Sequence, residues 1–133
     1  MTGQMSRTTG RELDLDEVVA LYSSSGLGAR RPVQDRPRMR SMLDAANLIV
    51  VCRDGAELVG IARSLSDFSY VTYLSDLAVA MSHQRRGVGR ALIEETARLG
   101  SPAKLVLLAA PDAASYYPHV GFAPHHSAWV LDR

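Results

Sequence analysis

Residues 77–90 of the chain read Leu-Ala-Val-Ala-Met-Ser-His-Gln-Arg-Arg-Gly-Val-Gly-Arg, and an amphipathic segment continues from them to about Leu99. Tyr73, Ser75, Leu77 and Val79 fall on one face at a period of two, which is typical of a β-strand, whereas the later segment has the period of a helix. A second apolar run, Leu105 to Ala109, is typical of a strand that is covered on both faces. This succession predicts two parallel strands joined by a right-handed helical crossover.

The rest of the chain predicts two helices and an antiparallel meander before this unit, and two short elements after it. Apolar residues at helical spacing, β-branched runs and the Asp54-Gly55 turn signal define these elements. We expect helices over residues 13–22, 37–45, 88–99 and 112–119, and strands over residues 48–52, 57–66, 70–80, 105–109 and 127–131. The expected fold class is α+β (mixed α/β), with a mixed, mostly antiparallel sheet in a single domain of residues 1–133. Residues 1–10 are expected to be disordered or to form a short edge strand.

The composition is that of an ordinary globular protein. The 133 residues are 47% hydrophobic, and 15 basic side chains against 14 acidic ones leave a net charge of +1. This balance gives no general attraction to nucleic acid or to an anionic membrane, so neither partner is expected. No apolar run approaches the roughly 20 residues needed to cross a bilayer. The single cysteine, Cys52, has no partner for an intramolecular disulfide, so we expect a cytoplasmic protein.

The loop at residues 84–90 has features of a phosphate-binding site. Gly87 and Gly89 allow a tight turn and leave backbone N–H groups uncovered by side chains. These groups are expected at a helix N-terminus, where the first amides have no partner within the helix and the dipole is positive. Arg85, Arg86 and Arg90 add fixed positive charge. The alternative is a glycine-eased entry into a helix with solvated arginines, and the loop alone does not separate the two.

The residues around the loop exclude two common phosphate-binding motifs. The P-loop requires Lys followed by Ser or Thr after its second glycine, and neither is present. The dinucleotide fingerprint requires a third glycine where Leu92 stands and an acidic residue at the end of the next strand, which instead ends in Ala109-Ala110. A phosphate ligand at this loop therefore belongs to another class.

Two segments resemble motifs of a known family. Residues 84–89, Gln-Arg-Arg-Gly-Val-Gly, resemble the Q/R-x-x-G-x-G/A signature of the GNAT superfamily of acyl-CoA-dependent N-acetyltransferases. Residues 116–122, Tyr-Tyr-Pro-His-Val-Gly-Phe, are similar to that family's aromatic-Tyr-x-x-x-Gly-Phe segment. The likeness extends over roughly residues 14–131. It implies a sheet whose fourth and fifth strands splay apart to admit the pantetheine arm, flanked by about four helices.

The resemblance also implies how acetyl-CoA, the expected co-substrate, would be bound. The backbone of the fourth strand would bind the pantetheine, and the loop amides would bind the pyrophosphate. Asp112 or Ser115 stands near the position of an asparagine that the family often has. No metal is expected. The residues implied to bind the co-substrate are Leu77, Ala78, Val79, Gln84, Arg85, Arg86, Gly87, Val88, Gly89, Arg90, Asp112, Ser115 and Tyr117.

Two residues are candidates for the acid–base chemistry. The resemblance implies that Tyr117 donates a proton to the leaving thiolate, because a phenol with an ordinary pKa of about 10 stays protonated at neutral pH. The alternative for Tyr117 is an aromatic anchor that packs on the core. Asp76 is the candidate base because it lies beside the expected acetyl position. Its alternative role is to pair with an arginine or a turn amide. No dedicated base is required in that case, because many family members deprotonate the amine through ordered water.

The sequence leaves several functions to compare. The first is transfer of the acetyl group from acetyl-CoA to a primary amine of a small molecule or peptide, by direct attack in a ternary complex. The second is a non-catalytic acyl-CoA-binding module, and a nucleic-acid-associated domain is disfavoured by the near-neutral charge. The arginine-rich segment at residues 30–40 predicts either a solvated loop or an acceptor that carries a carboxylate or phosphate. An exposed last strand around Trp129 would support a homodimer by edge pairing.

Overall fold

The strands of the chain form one mixed sheet, in which their order across the sheet is their order along the chain. In the computed structural model, which describes residues 3–133, these strands are β1 (Gln4–Thr8), β2 (Leu48–Asp54), β3 (Glu57–Ser66), β4 (Val71–Val79) and β5 (Lys104–Val106). Neighbours from β1 to β4 pair antiparallel, and β4 pairs parallel with β5. The predicted fold class is confirmed. The N-terminal segment forms the edge strand β1, and residues 1 and 2 lie outside the described residues.

The helices α1 (Leu15–Ser25) and α3 (Val88–Gly100) pack against this sheet, and α2 (Arg36–Ala45) packs beside α1 and contributes Met39 and Leu43 to the same core. The side chain of Asp14 accepts a hydrogen bond from the Asp16 N–H at 2.9 Å and caps α1. Asp35 caps α2 in the same way. Successive residues of β2 and β3 are buried, so both faces of the central strands are covered. Within residues 3–133, no helix combines the length and the apolar character needed to cross a membrane.

The strand β4 differs from the central strands because burial alternates along it. Leu74, Asp76 and Ala78 are buried, whereas the side chains on the opposite face are half-buried. The register against β3 shifts by one residue near Ser75, a bulge that locally bends the strand. On its other side, β4 pairs with β5 only from Val71 to Tyr73. Beyond that point the two strands separate, which confirms the splay implied by the family resemblance.

Two predicted elements near the end of the chain need correction. The helix predicted over residues 112–119 is replaced by two 3-10 turns, Pro111–Ala113 and Tyr117–Val120. Pro118 lies between the predicted ends of that helix, and it has no N–H to continue the hydrogen-bond ladder. The strand β5 ends at Val106 rather than at residue 109, and Leu108 is 50% exposed because β5 is an edge strand.

The prediction of a last strand over residues 127–131 is wrong. In the described structure this segment has no strand assignment, and Trp129 is 93% exposed. Residues of high β-propensity form a strand only where a neighbouring strand supplies the hydrogen-bond partners and a surface to pack on. The homodimer expected through this segment stays a prediction.

Candidate active site

A cleft of about 210 Å³ opens where β4 and β5 separate. One wall is formed by Leu74, Ser75 and Leu77 of β4, and the opposite wall is the chain that follows β5. The segment after α1 closes one end. The lining residues are Ser25, Gly26, Leu27, Arg30, Arg31, Leu74, Ser75, Leu77, Leu107, Leu108, Ala110, Asp112, Ala113 and Tyr117. A larger cavity of about 320 Å³ lies between α1 and the start of β3, and none of the site residues predicted from the sequence lines it.

The backbone of β4 presents peptide groups to this cleft. The Ala80 N–H donates to the Val59 carbonyl of β3 at 2.8 Å. Because successive residues of a strand direct their peptide groups to alternate edges, Leu77 and Val79 direct theirs away from β3 and toward the gap left by β5. Ala78 directs its peptide groups toward β3. Of the three β4 residues predicted to bind the co-substrate, Leu77 lines the cleft, and Val79 directs its peptide groups to the same edge of the strand farther along.

The loop at residues 84–90 follows β4 after a short 3-10 turn, Met81–His83, and has the backbone conformation of an anion site. Arg85 and Gly87 have positive φ values of 63° and 82°, with Arg86 between them. Such alternation turns successive N–H groups into one concavity. α3 begins immediately afterwards, and its Ala91 N–H donates to the Gly87 carbonyl at 3.0 Å. Within the described residues, the backbone N–H groups of residues 85–90 donate no hydrogen bond to a protein acceptor.

The side chains of the loop have different surroundings. Gln84 donates from Nε2 to the Val79 carbonyl at 3.0 Å, so it connects the end of β4 to the start of the loop. Val88 is the first residue of α3, and its side chain is buried, which leaves only its backbone available to a ligand. Arg90 is paired with Glu94 at 3.0 Å on the exposed face of α3. Arg85 and Arg86 are exposed, and no carboxylate among residues 3–133 lies within salt-bridge distance of either.

The 3-10 turn at residues 117–120 places Tyr117 on the wall of the cleft. Gly121 ends the turn with a φ of 96°, which reverses the chain so that Phe122 packs edge-on against Tyr117, with ring centroids 5.6 Å apart. This packing explains the spacing of the Tyr-x-x-x-Gly-Phe segment. Burial, and then the neighbouring Tyr116, raise the pKa of the Tyr117 phenol. The phenol therefore remains a hydrogen-bond donor throughout the neutral range.

Tyr116 and Tyr117 are adjacent in the sequence; the first contacts the loop and the second lines the cleft. The Tyr116 hydroxyl lies 3.0 Å from the position that a Cβ on Gly89 would occupy, so a larger residue at position 89 would displace the Tyr116 side chain slightly. Tyr116 therefore touches the loop, and the adjacent Tyr117 lines the cleft. Asp112 also lines the cleft. Ser115 is exposed and does not, so the structure brings together only one of the two candidates for the family's asparagine position.

Asp76 lies on the buried face of β4 in a network of short hydrogen bonds. Its Oδ2 accepts from Arg63 Nε and from the Tyr22 hydroxyl, both at 2.6 Å, and its Oδ1 accepts from Arg31 Nε at 2.5 Å. Arg31 also donates from Nη2 to the Ser75 carbonyl at 2.7 Å. The network thus joins α1, the segment after it, β3 and the bulge of β4.

These contacts favour the ion-pair role of Asp76 over the role of a base. Burial would raise the pKa of this carboxyl, but hydrogen bonding and charge from Arg63, with the contacts of Tyr22 and Arg31, outweigh burial and lower it. The Tyr22 phenol remains a donor because burial and the charge of Asp76 raise its pKa. A carboxylate with a lowered pKa and both oxygens occupied is a weak proton acceptor at neutral pH.

Sequence reasoning did not identify the partners in this network, nor the contacts of His83. Tyr22, Arg31 and Arg63 approach Asp76 from distant positions in the chain. The one available signal was an acidic residue at a position of β4 that alternation places in the core, since a buried charge requires a partner. His83 is buried before the loop, with Nε2 2.8 Å from Asp54 Oδ2 and Nδ1 2.7 Å from Ser82 Oγ.

Comparison with known proteins gives a family and a set of similar folds. The chain matches the family described as acetyltransferase (GNAT) domain over residues 21–130, and no curated protein matches its sequence. It is similar to a probable acetyltransferase from Staphylococcus aureus (20% identity, TM-score 0.80, 99% of each chain). It is also similar to a GNAT family acetyltransferase from Streptococcus pneumoniae (20% identity, TM-score 0.72, 99% of this chain and 100% of the other). A third similar structure is an aminoglycoside acetyltransferase from an uncultured soil metagenomic sample (20% identity, TM-score 0.76, 100% of this chain and 99% of the other).

Proposed function

Because the chain belongs to the GNAT acetyltransferase family, we propose that it transfers the acetyl group of acetyl-CoA to a primary amine of a small molecule or peptide. One observation carries this proposal. β4 and Tyr117 line a cleft, and the loop whose N–H groups donate no hydrogen bond follows β4 after one short 3-10 turn. An acyl-CoA needs these three features together: an anion site, a strand edge and a donor near the thioester.

We propose that each part of acetyl-CoA is held by a different part of the chain. The N–H groups of residues 85–90 bind the pyrophosphate, with Arg85 and Arg86 adding charge. The pantetheine arm extends along β4, where the peptide groups of Leu77 and Val79 act as they would toward an added strand. The Val79 N–H is the proposed donor to the carbonyl oxygen of the acetyl group as negative charge develops on it.

The proposed reaction is a direct attack in a ternary complex. The nitrogen of the neutral amine forms a bond to the thioester carbonyl carbon, and the carbon–sulfur bond then breaks. Tyr117 donates a proton to the leaving thiolate, and the proton lost by the amine passes through water and restores the phenol. We assign no base role to Asp76, because its oxygens are occupied by Arg31, Arg63 and Tyr22.

The acceptor amine and the cellular setting belong to the same proposal. The similar fold of an aminoglycoside acetyltransferase makes aminoglycosides one acceptor class to test. We propose acetyl-CoA and an amine as the partners, with no nucleic acid or membrane partner, in the cytoplasm. The competing hypothesis is a module that binds acyl-CoA without catalysis.

Substitution of Tyr117 tests the proposal. In Tyr117→Phe we expect CoA release with an accepted amine to fall at least about a hundredfold, since general acid catalysis contributes that much or more. The dissociation constant of acetyl-CoA, measured by calorimetry, should change less than about threefold, within the context-dependence of single contacts. Tyr70→Phe is the matched control, because Tyr70 is 68% exposed and lies outside the cleft. Binding without turnover of any amine would support the non-catalytic module, and absence of acetyl-CoA binding would overturn both hypotheses.

A further inference from the structure

The end of the cleft that the segment after α1 closes carries an excess of positive charge. Arg30 and Arg31 line it, and the carboxylate of Asp112 lies among the same lining residues. Arg31 is ion-paired with Asp76, but Asp76 is also ion-paired with Arg63. The lining residues and their ion-pair partners therefore comprise three arginines and two carboxylates, which leaves one positive charge at the cleft without a balancing carboxylate. The residues counted are Arg30, Arg31, Arg63, Asp76 and Asp112.

The unbalanced positive charge at the cleft belongs to Arg30 of the arginine-rich segment. Arg31, Arg36 and Arg40 are ion-paired with Asp76, Asp16 and Asp44 respectively. Among residues 3–133, no carboxylate lies within salt-bridge distance of Arg30 or Arg38. Arg30 lines the cleft and Arg38, on α2, does not. Two exposed arginines of the same segment thus differ mainly in their position relative to the site.

On the basis of the function proposed above, we propose that the acceptor is an amine that also carries a carboxylate or phosphate, and that Arg30 binds this anionic group. A guanidinium presents donors in a planar arrangement that matches two oxygens of either anion. The same positive charge disfavours the ammonium form of the acceptor, and the amine must be neutral to attack. A polycationic amine is repelled by this end of the cleft.

A series of small acceptors isolates the contribution of the anionic group. The members are 2-aminoethyl phosphate, β-alanine, ethanolamine and ethane-1,2-diamine, which share an aminoethyl unit and differ in the group attached to it. With saturating acetyl-CoA, kcat/KM is measured for each from the release of CoA. We expect the two anionic amines to exceed ethanolamine by at least about tenfold, which corresponds to ~1.4 kcal/mol, and the diamine to be the poorest. Added salt should lower the advantage, because Arg30 is exposed.

Substitutions at matched positions assign this preference to Arg30. Arg30→Gln should raise KM for the anionic amines about tenfold and leave ethanolamine unchanged, and Arg30→Lys should recover part of the loss. Arg38→Gln removes the same charge from the same segment and should leave all four acceptors unchanged. The dissociation constant of acetyl-CoA should be the same in all three variants.

Each of the other outcomes overturns the inference in a distinguishable way. Preference of the unsubstituted protein for ethanolamine or the diamine rejects the anionic acceptor while the acetyltransferase function stands. Weaker acetyl-CoA binding by Arg30→Gln would show that Arg30 binds the co-substrate instead. An equal loss in Arg38→Gln would show a general charge effect. Failure to bind acetyl-CoA would remove the proposed function, and the inference with it.

Discussion

Replacement of Asp76 by Asn tests whether the buried ion pairs of β4 stabilise the fold through their burial. The substitution keeps the shape of the side chain and removes its charge. One oxygen remains as an acceptor, but the new NH₂ group faces an arginine donor at a distance of about 2.5 Å in the present geometry. The guanidinium of Arg63, whose side chain is 7% exposed, then has no carboxylate partner in the network.

The expected cost is large for a single substitution. Removing one partner of a buried pair typically costs about 3–5 kcal/mol, because the remaining charge stays buried without compensation. A domain has about 5–15 kcal/mol of stability in total. For a chain of this size the loss corresponds to a fall in Tm of about 11–18 °C. Tyr22→Phe, which removes only one donor to the same carboxylate, should cost about 1–2 kcal/mol and keep the protein folded.

Urea unfolding followed by circular dichroism measures these costs, and Asp16→Asn is the control. Asp16 is paired with Arg36 at 2.5 Å, the same distance as in the Arg31–Asp76 pair. Both side chains of the Asp16–Arg36 pair are more than half exposed. Exposed pairs contribute about 0–1 kcal/mol. If Asp76→Asn costs no more than Asp16→Asn, burial is not what gives the network its strength, and the reasoning is refuted.

The same carboxyl predicts a pH dependence. Its pKa is lowered in the folded protein, so its contribution is complete above the unfolded value of about 3.9 and is lost as the pH falls through the lower folded value. The stability difference between the unsubstituted protein and Asp76→Asn should therefore be constant near neutrality and shrink below about pH 4. A difference that grew toward acid pH would contradict the assigned direction.

Two further predictions concern the loop and the cleft. Gly87→Ala should weaken acetyl-CoA binding about tenfold, because its φ of 82° is strained for any other residue while no atom lies within 4 Å of the added Cβ. Gly55→Ala, with a φ of 61° and equally open space in the β2–β3 turn, should reduce stability in urea and leave the binding heat unchanged. Since burial raises the pKa of Tyr117, kcat measured from pH 6 upward should show no loss from its ionisation below about pH 10. A decline centred below pH 9 that disappears in Tyr117→Phe would contradict this assignment.

The local elements were predictable to a large extent, and the long-range contacts were not. The Asp54-Gly55 turn, the meander and the helix after the loop depend on neighbouring residues, so their patterns are visible in the sequence. The partners of Asp76 are up to 54 residues away, and no local period indicates which arginine reaches a given carboxylate. The strand predicted around Trp129 failed for a related reason, since pairing depends on a neighbouring strand that the segment itself does not specify.

The contact of Arg31 with β4 has a consequence for enzyme engineering. Residues 26–30 belong to the segment that follows α1. The side chain of Arg31 attaches this segment to Asp76 and to the Ser75 carbonyl. A library of acceptor specificities would therefore be built on Leu27 and Arg30, which line the cleft, with Arg31 kept constant. Variants that include Arg31 would disturb the strand along which the thioester is expected to lie, and they would mix altered selectivity with general inactivation.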